Sequence, residues 1–116
     1  MTERQLTQRF LKQLKVEYPL YYWYKIGDTF GGHKKPCDMV SCIQGKFVGI
    51  EFKKGPGKLT EYQLESLSNI IDSGGKYIVG YFSEDGKELH FDNITLHYSK
   101  GRYKGLSKWI KSIEII

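Results

Sequence analysis

The chain is poor in the residues that hold small secreted folds together, with two cysteines and three prolines in 116 positions. Cys37 and Cys42 stand an odd number of residues apart, so on one strand they point to opposite faces and cannot easily pair. Neither the count nor the spacing suggests a zinc site, and His33, His90 and His97 are scattered. His90 and His97 read as structural or surface residues. No apolar run approaches the ~20 residues of a membrane-spanning helix, and no basic n-region followed by an apolar h-region opens the sequence. Linkers, repeats and low-complexity segments are also missing. These absences argue against a disulfide scaffold, a zinc module and a membrane protein. They leave one domain over residues 1–116, expected to be soluble and intracellular, in the cytoplasm of its own cell or of a host if phage- or virus-encoded.

Acidic residues are outnumbered by basic ones, 13 against 18, for a formal charge of +5 and a pI near 9.1. Such a balance favours an anionic partner. The basic residues gather in the middle of the chain, with Lys34 and Lys35 on one side and Lys53, Lys54 and Lys58 on the other. Each could equally be an ordinary solubilising lysine. Aromatic residues make up 15%, and Tyr21, Tyr22, Trp23 and Tyr24 are consecutive. Rings in such a run could stack on bases, although on a strand alternate ones would fill the core.

Between the basic groups lies a hairpin pattern. Gln44-Gly45 separates an alternating run ending at Ile43 from another starting at Lys46, as a tight β-turn would. With a two-residue loop, facing residues have numbers that sum to 89, which puts Asp38 opposite Glu51. Cβ atoms of such neighbours are only about 4.5–5.5 Å apart, and like charges there destabilise a sheet. A hard divalent cation such as Mg²⁺ or Mn²⁺, which prefers carboxylate, carbonyl and water oxygens, offsets that repulsion. Parity agrees: Val48, Ile50 and Phe52 alternate with Gly49, Glu51 and Lys53, so one face is apolar and the other carries charge. A four-residue loop would preserve this facing, whereas a three-residue loop would turn Asp38 away. The plainer alternative is an exposed Glu51-Lys53 ion pair beside an unrelated Asp38.

The surrounding elements follow from periodicity. Thr2 and Gln5 form a capping-box pattern, and Leu6, Phe10 and Leu14 recur at helical spacing, predicting a helix over 3–16. Glu3 shares the inward stripe of that helix. It could reach a metal or substrate, or simply complement the helix dipole. A strand over 21–26 leads into a glycine-rich basic loop, 27–35, able to mould to a phosphate backbone through amides, His33, Lys34 and Lys35. Strands over 37–43 and 46–54 make the hairpin, and Gly55-Pro56-Gly57-Lys58 is a second basic turn. Thr60 and Gln63 repeat the capping box, opening a helix whose Leu64, Leu67, Ile70 and Ile71 are predicted to face inward until Ser73-Gly74-Gly75. Gln63 could be only a cap. Residues 77–82 suit a buried strand in a strand-helix-strand unit, giving a mixed sheet. A turn at Glu84-Asp85-Gly86 leads into a strand over 88–91, and Leu106, Trp109, Ile110 and Ile113 mark a closing amphipathic helix.

Taken in order, several of these elements resemble the VRR-Nuc branch of the PD-(D/E)xK nuclease superfamily, which also includes Holliday-junction resolvases. The resemblance spans Gly32 to Phe82: Pro36 and Asp38, then Gly45-Lys46-Phe47-Val48-Gly49-Ile50-Glu51-Phe52-Lys53, then Gly57-Lys58-Leu59-Thr60 with Gln63, then Gly74-Gly75. Cys37 departs from it, standing between the proline and the aspartate, which the family usually has adjacent. The resemblance implies an α/β (α+β), restriction-endonuclease-like core with a mixed central sheet flanked by helices. It also implies that Asp38, Glu51 and the Phe52 carbonyl hold Mg²⁺, with Mn²⁺ able to substitute. Lys53 would orient or deprotonate water, Gln63 would position the site or scissile phosphate, and Glu3 would supply the early-helix glutamate. His33, Lys34, Lys35, Lys54 and Lys58 would bind DNA. The expectation is a structure-selective endonuclease of branched DNA, acting as a homodimer because two strands need two sites. A less selective nicking or restriction-like nuclease and a non-cleaving nucleic-acid-binding module are the alternatives.

Overall fold

The computed structural model describes residues 1–27 and 35–114. Helix α1 (Glu3–Glu17) opens on the expected capping box: the Thr2 hydroxyl accepts from the Gln5 N–H at 3.1 Å and the Gln5 side chain accepts from the Thr2 N–H at 2.9 Å. Two of the helix's orphan donors are thereby satisfied. Its buried stripe of Leu6, Phe10, Leu11 and Leu14 lies on the sheet.

Strands β1 (Tyr22–Lys25), β2 (Met39–Ile43) and β3 (Lys46–Lys54) pair antiparallel, with Met39 opposite Ile50 and Ile43 opposite Lys46. The loop is therefore the two-residue one. Gln44 and Gly45 both take positive φ, 50° and 78°, as the tight hairpin turn requires. Helix α2 (Glu61–Asp72) carries the chain from β3 to β4 (Lys76–Phe82), which runs parallel to β3 with Glu51 beside Val79. Strands β5 (Glu88–Phe91), β6 (Ile94–Ser99) and β7 (Arg102–Lys104) continue antiparallel, and α3 (Leu106–Glu114) closes the chain. The result is a seven-stranded mixed sheet in chain order, flanked by helices. This is the α+β architecture expected. Strands β6 and β7 were not expected; they meet at Lys100-Gly101, whose positive φ values repeat the first hairpin's geometry without the Asn-Gly signal that advertises it.

Helices α1 and α3 share one face. Phe10 packs edge-on to Phe52 at 5.8 Å and lies 5.6 Å from Trp109, so the apolar side of β3 is covered by both helices. Helix α2 lies on the other face, and there the inward stripe has to be corrected. Leu64 and Ile71 are about half exposed, Leu67 and Ile70 are only partly buried, and Ser66 is the one buried residue of the helix. The cause is the floor beneath it: on this face β3 offers Gly49, Glu51 and Lys53, which give apolar side chains little to pack on. Strand β4 is correspondingly half-buried from Tyr77 to Val79, not fully buried as its composition suggested. None of the described helices is long and apolar enough to cross a membrane.

Candidate active site

The symmetric turn sets the register, and the register brings Asp38 to Glu51. Asp38 lies one residue before the first ladder pair, Met39 with Ile50, and its N–H donates to the Ile50 carbonyl at 3.0 Å. Its carboxylate turns into the gap between the strands, where Oδ2 accepts the Phe52 N–H at 2.7 Å. Both acids are buried, Asp38 at 8% exposure and Glu51 at 2%, so the exposed Glu51-Lys53 pair is not what forms.

Burial pushes the Glu51 carboxyl up to about 8, and the Asp38 charge and a hydrogen bond between the two carboxyls push in the same direction. One of its oxygens, Oε2, accepts from Gln63 Nε2 at 3.0 Å and lies 3.9 Å from Lys53 Nζ. The other, Oε1, is buried with no hydrogen-bond partner among the described residues. A buried carboxylate oxygen without a donor is costly, so this atom marks where a cation or proton belongs.

The other predicted residues fall around this pair unevenly. Glu3 comes to the site by way of the α1 N-terminus: its Oε2 accepts the Lys54 N–H at 3.1 Å. Its carboxyl is raised by burial first and by the Asp38 charge second, with Lys53 opposing. Gln63 does both jobs open to it, capping α2 and bonding Glu51. Lys35, expected on DNA, forms an ion pair with Asp38 at 2.9 Å. The Lys54 ammonium reaches the Met1 carbonyl at 2.8 Å, whereas Lys58 stays exposed beyond β3. His33 and Lys34 lie outside the described residues.

A pocket of about 120 Å³ opens onto Asp38 and is lined by Glu3, Arg4, Thr7, Lys25, Lys35 and Asp38. Arg4 and Lys25 were missed by the sequence reading. Their signal was available, since Arg4 adjoins Glu3 and Lys25 ends the strand that pairs with Met39. A larger hollow between β4 and α3, bordered by Leu67, Ile78 and Trp109, lies away from the carboxylates. At the strand entrance the Tyr77 hydroxyl donates to the Pro36 carbonyl at 3.2 Å, and burial raises the pKa of that phenol. Cys37 is a buried free thiol pushed up to about 12, chiefly by burial, so it contributes packing and not nucleophilicity.

The donor set suits a hard divalent cation. Among the described residues no group of three or more His, Cys, Asp or Glu is gathered to hold a metal. Magnesium does not need one, because it is commonly held by one or two carboxylates with the remaining positions filled by water and substrate phosphate.

No family model and no curated protein matches the chain. Among solved structures, it is similar to the Holliday junction resolvase of Archaeoglobus fulgidus, an archaeal hyperthermophile. The TM-score is 0.49 and the sequences are 20% identical, over 82% of each chain.

Proposed function

We propose that this chain is a Mg²⁺- or Mn²⁺-dependent endodeoxyribonuclease of the PD-(D/E)xK type, VRR-Nuc branch, that hydrolyses phosphodiester bonds in branched DNA such as Holliday junctions. The observation that carries the reading is the buried Asp38-Glu51 pair, in which Glu51 Oε2 is held by the Gln63 amide beside Lys53 while Oε1 has no donor among the described residues. Two acids facing each other inside a protein cost stability, and a bound cation or a retained proton offsets that cost beyond what Lys35 and Lys53 supply.

In this reading Asp38, Glu51 and the Phe52 carbonyl hold the ion. The cation supplies Lewis acidity toward the phosphodiester and lowers the pKa of the attacking water. The protein does the rest. The Phe52 N–H and Lys35 hold the Asp38 carboxylate, and the Gln63 amide holds Glu51, so neither carboxylate has to reorganise as charge develops. Lys53, beside Glu51 Oε2, orients the water and stabilises negative charge on the phosphate. Glu3, tied to the Lys54 N–H, closes the pocket from the helix side. Lys58, with His33 and Lys34, draws in the DNA backbone.

A domain this small has little surface for reading base edges, which favours recognition of backbone shape. Cutting both strands of a junction takes two sites, which a two-fold homodimer supplies. The test is a cleavage panel of four-way junction, splayed arm and linear duplex of matched sequence with Mg²⁺ and Mn²⁺, using wild type, Asp38→Asn and Glu51→Gln. Cleavage that prefers the junction and vanishes in both variants is the expected result. Full activity in both variants refutes the reading. Equal cutting of linear duplex would assign a less selective nuclease, and metal-independent binding with no cleavage a non-cutting binding module.

A further inference from the structure

We infer that Tyr77 is a positioning residue for Asp38: its hydroxyl anchors Pro36 across β3 and so seats a bulge in β2 that aims the Asp38 carboxylate at Glu51. The inference rests on the nuclease reading only for the use made of that carboxylate.

The ladder stops being regular where the acid begins. Met39 is the residue opposite Ile50, yet the Asp38 N–H donates to the carbonyl of that same Ile50 at 3.0 Å. Two consecutive residues of one strand thus meet one residue of the other, which is the count of a β-bulge. Bulges beside sites re-aim a side chain, and this one turns the Asp38 carboxylate into the gap between the strands, where Oδ2 accepts the Phe52 N–H at 2.7 Å. A bulge also disrupts the local pairing, so contacts outside the ladder have to hold the strand entrance.

Gly49 makes room for them. It pairs with Tyr77 on β4, and a Cβ there would stand 3.5 Å from Tyr77 Cδ2 and 3.3 Å from Cys37 Sγ. The ring and the sulfur therefore share the space that a side chain would take. With that space open, the Tyr77 ring lies across β3 and its hydroxyl donates to the Pro36 carbonyl at 3.2 Å. Cys37, fully buried, donates its thiol to the Met39 carbonyl at 3.3 Å. Asp38 is thus gripped from both sides in the chain, by Tyr77 through Pro36 and by Cys37 through Met39. Burial, followed by the Glu51, Cys37 and Asp38 charges, raises the Tyr77 phenol, so it keeps the proton it donates. Groups that orient a ligating carboxylate in this way tune a site without touching the substrate.

The experiment reads the position of Asp38 without metal or DNA, by amide hydrogen exchange followed by NMR in EDTA. The proteins are wild type, Tyr77→Phe, which keeps the ring over Gly49 and removes only the hydroxyl, and Tyr103→Phe. The last removes a buried phenol that donates to the Gly86 carbonyl at 2.7 Å, away from the acids. In Tyr77→Phe the Asp38 and Phe52 amides should exchange roughly 2- to 10-fold faster, the loss expected for one hydrogen bond. Ser41 and Val48, a ladder pair closer to the turn, should keep their rates. Tyr103→Phe should not single out the Asp38 and Phe52 amides. Unchanged exchange in Tyr77→Phe, or an increase spread evenly over β2 and β3, overturns the inference. In junction cleavage, Tyr77→Phe should raise the half-saturating Mg²⁺ concentration about tenfold or more, with excess Mg²⁺ restoring the rate. A rate that stays low at every Mg²⁺ concentration also overturns it. In a protein that neither takes up Mg²⁺ nor cuts DNA, the exchange pattern still decides this inference while the nuclease reading fails.

Discussion

Gln63 holds Glu51 and the start of its own helix with the two ends of one amide. Its Nε2 donates to Glu51 Oε2 at 3.0 Å while its Oε1 accepts the Thr60 N–H at 2.9 Å. The cap therefore fixes the orientation of a side chain that in turn fixes the buried Glu51 carboxyl. A glutamine serves here where glutamate would not, because only the amide has a donor to offer Glu51.

The two roles separate by mutation. Thr60→Ala removes the hydroxyl that accepts the Gln63 N–H at 3.2 Å and leaves the amide in place. It should lose ~0.5–2 kcal/mol of stability, measured by denaturant midpoint, and keep its cleavage rate. Gln63→Ala should lose a similar amount of stability and also slow cleavage. Equal slowing in both variants would show that Gln63 acts only through the helix.

Glu51 gives the metal-free protein a pH signature. Its folded pKa is raised from 4.5 to about 8, so the folded state holds a proton that the unfolded chain releases. The stabilisation from that proton is fully present below about 4.5 and is lost as pH rises through about 8. Glu51→Gln removes the titration, and its amide can donate to Asp38. At pH 8 in EDTA the variant should melt several degrees above wild type, consistent with ~1–3 kcal/mol for relieving a buried unpaired acceptor. The gap should close toward pH 4.5, and Mg²⁺ should raise the melting temperature of wild type alone. A gap that widens on acidification contradicts the sign.

Lys53→Met keeps the aliphatic stem and removes the ammonium 3.9 Å from Glu51 Oε2. The single-turnover cleavage rate should fall on the order of 10²–10³ with DNA affinity nearly unchanged, as for loss of one charge-stabilising group in a site. If affinity falls as far as the rate does, Lys53 belongs to backbone binding instead.

Gly80 lies behind the site on β4, paired with Phe52. A Cβ there would stand 2.8 Å from Phe91 Cε1 and 3.2 Å from Phe52 Cδ1. Gly80→Ala should cost ~1–3 kcal/mol by overpacking, seen as a lower urea midpoint with an unchanged slope. A neutral result would mean that the aromatic cluster of Phe52, Phe82 and Phe91 can shift without loss.

The hairpin was legible because its determinants are local. Two turn residues between alternating runs set the register, and a period of two then assigns every side chain on β2 and β3 to a face. Both capping boxes were legible for the same reason, since donor and acceptor lie three residues apart. Leu64 and Ile71 misled because amphipathic spacing names a stripe without saying what floor awaits it. Strands β6 and β7 went unread because β7 is only Arg102–Lys104 and depends on pairing with Tyr98 and its neighbours.

The amino-acid order by itself determined that Asp38 meets Glu51, that the early and middle helices start where they do, and that one face of β3 is apolar. Each of these follows from interactions within a turn or a hairpin. Tertiary folding alone decided that Glu3 reaches the Lys54 N–H and that the Tyr22 and Tyr24 rings stay uncovered. Those contacts depend on where helices dock and loops close, and no spacing rule specifies which of several lysines or faces ends up nearest.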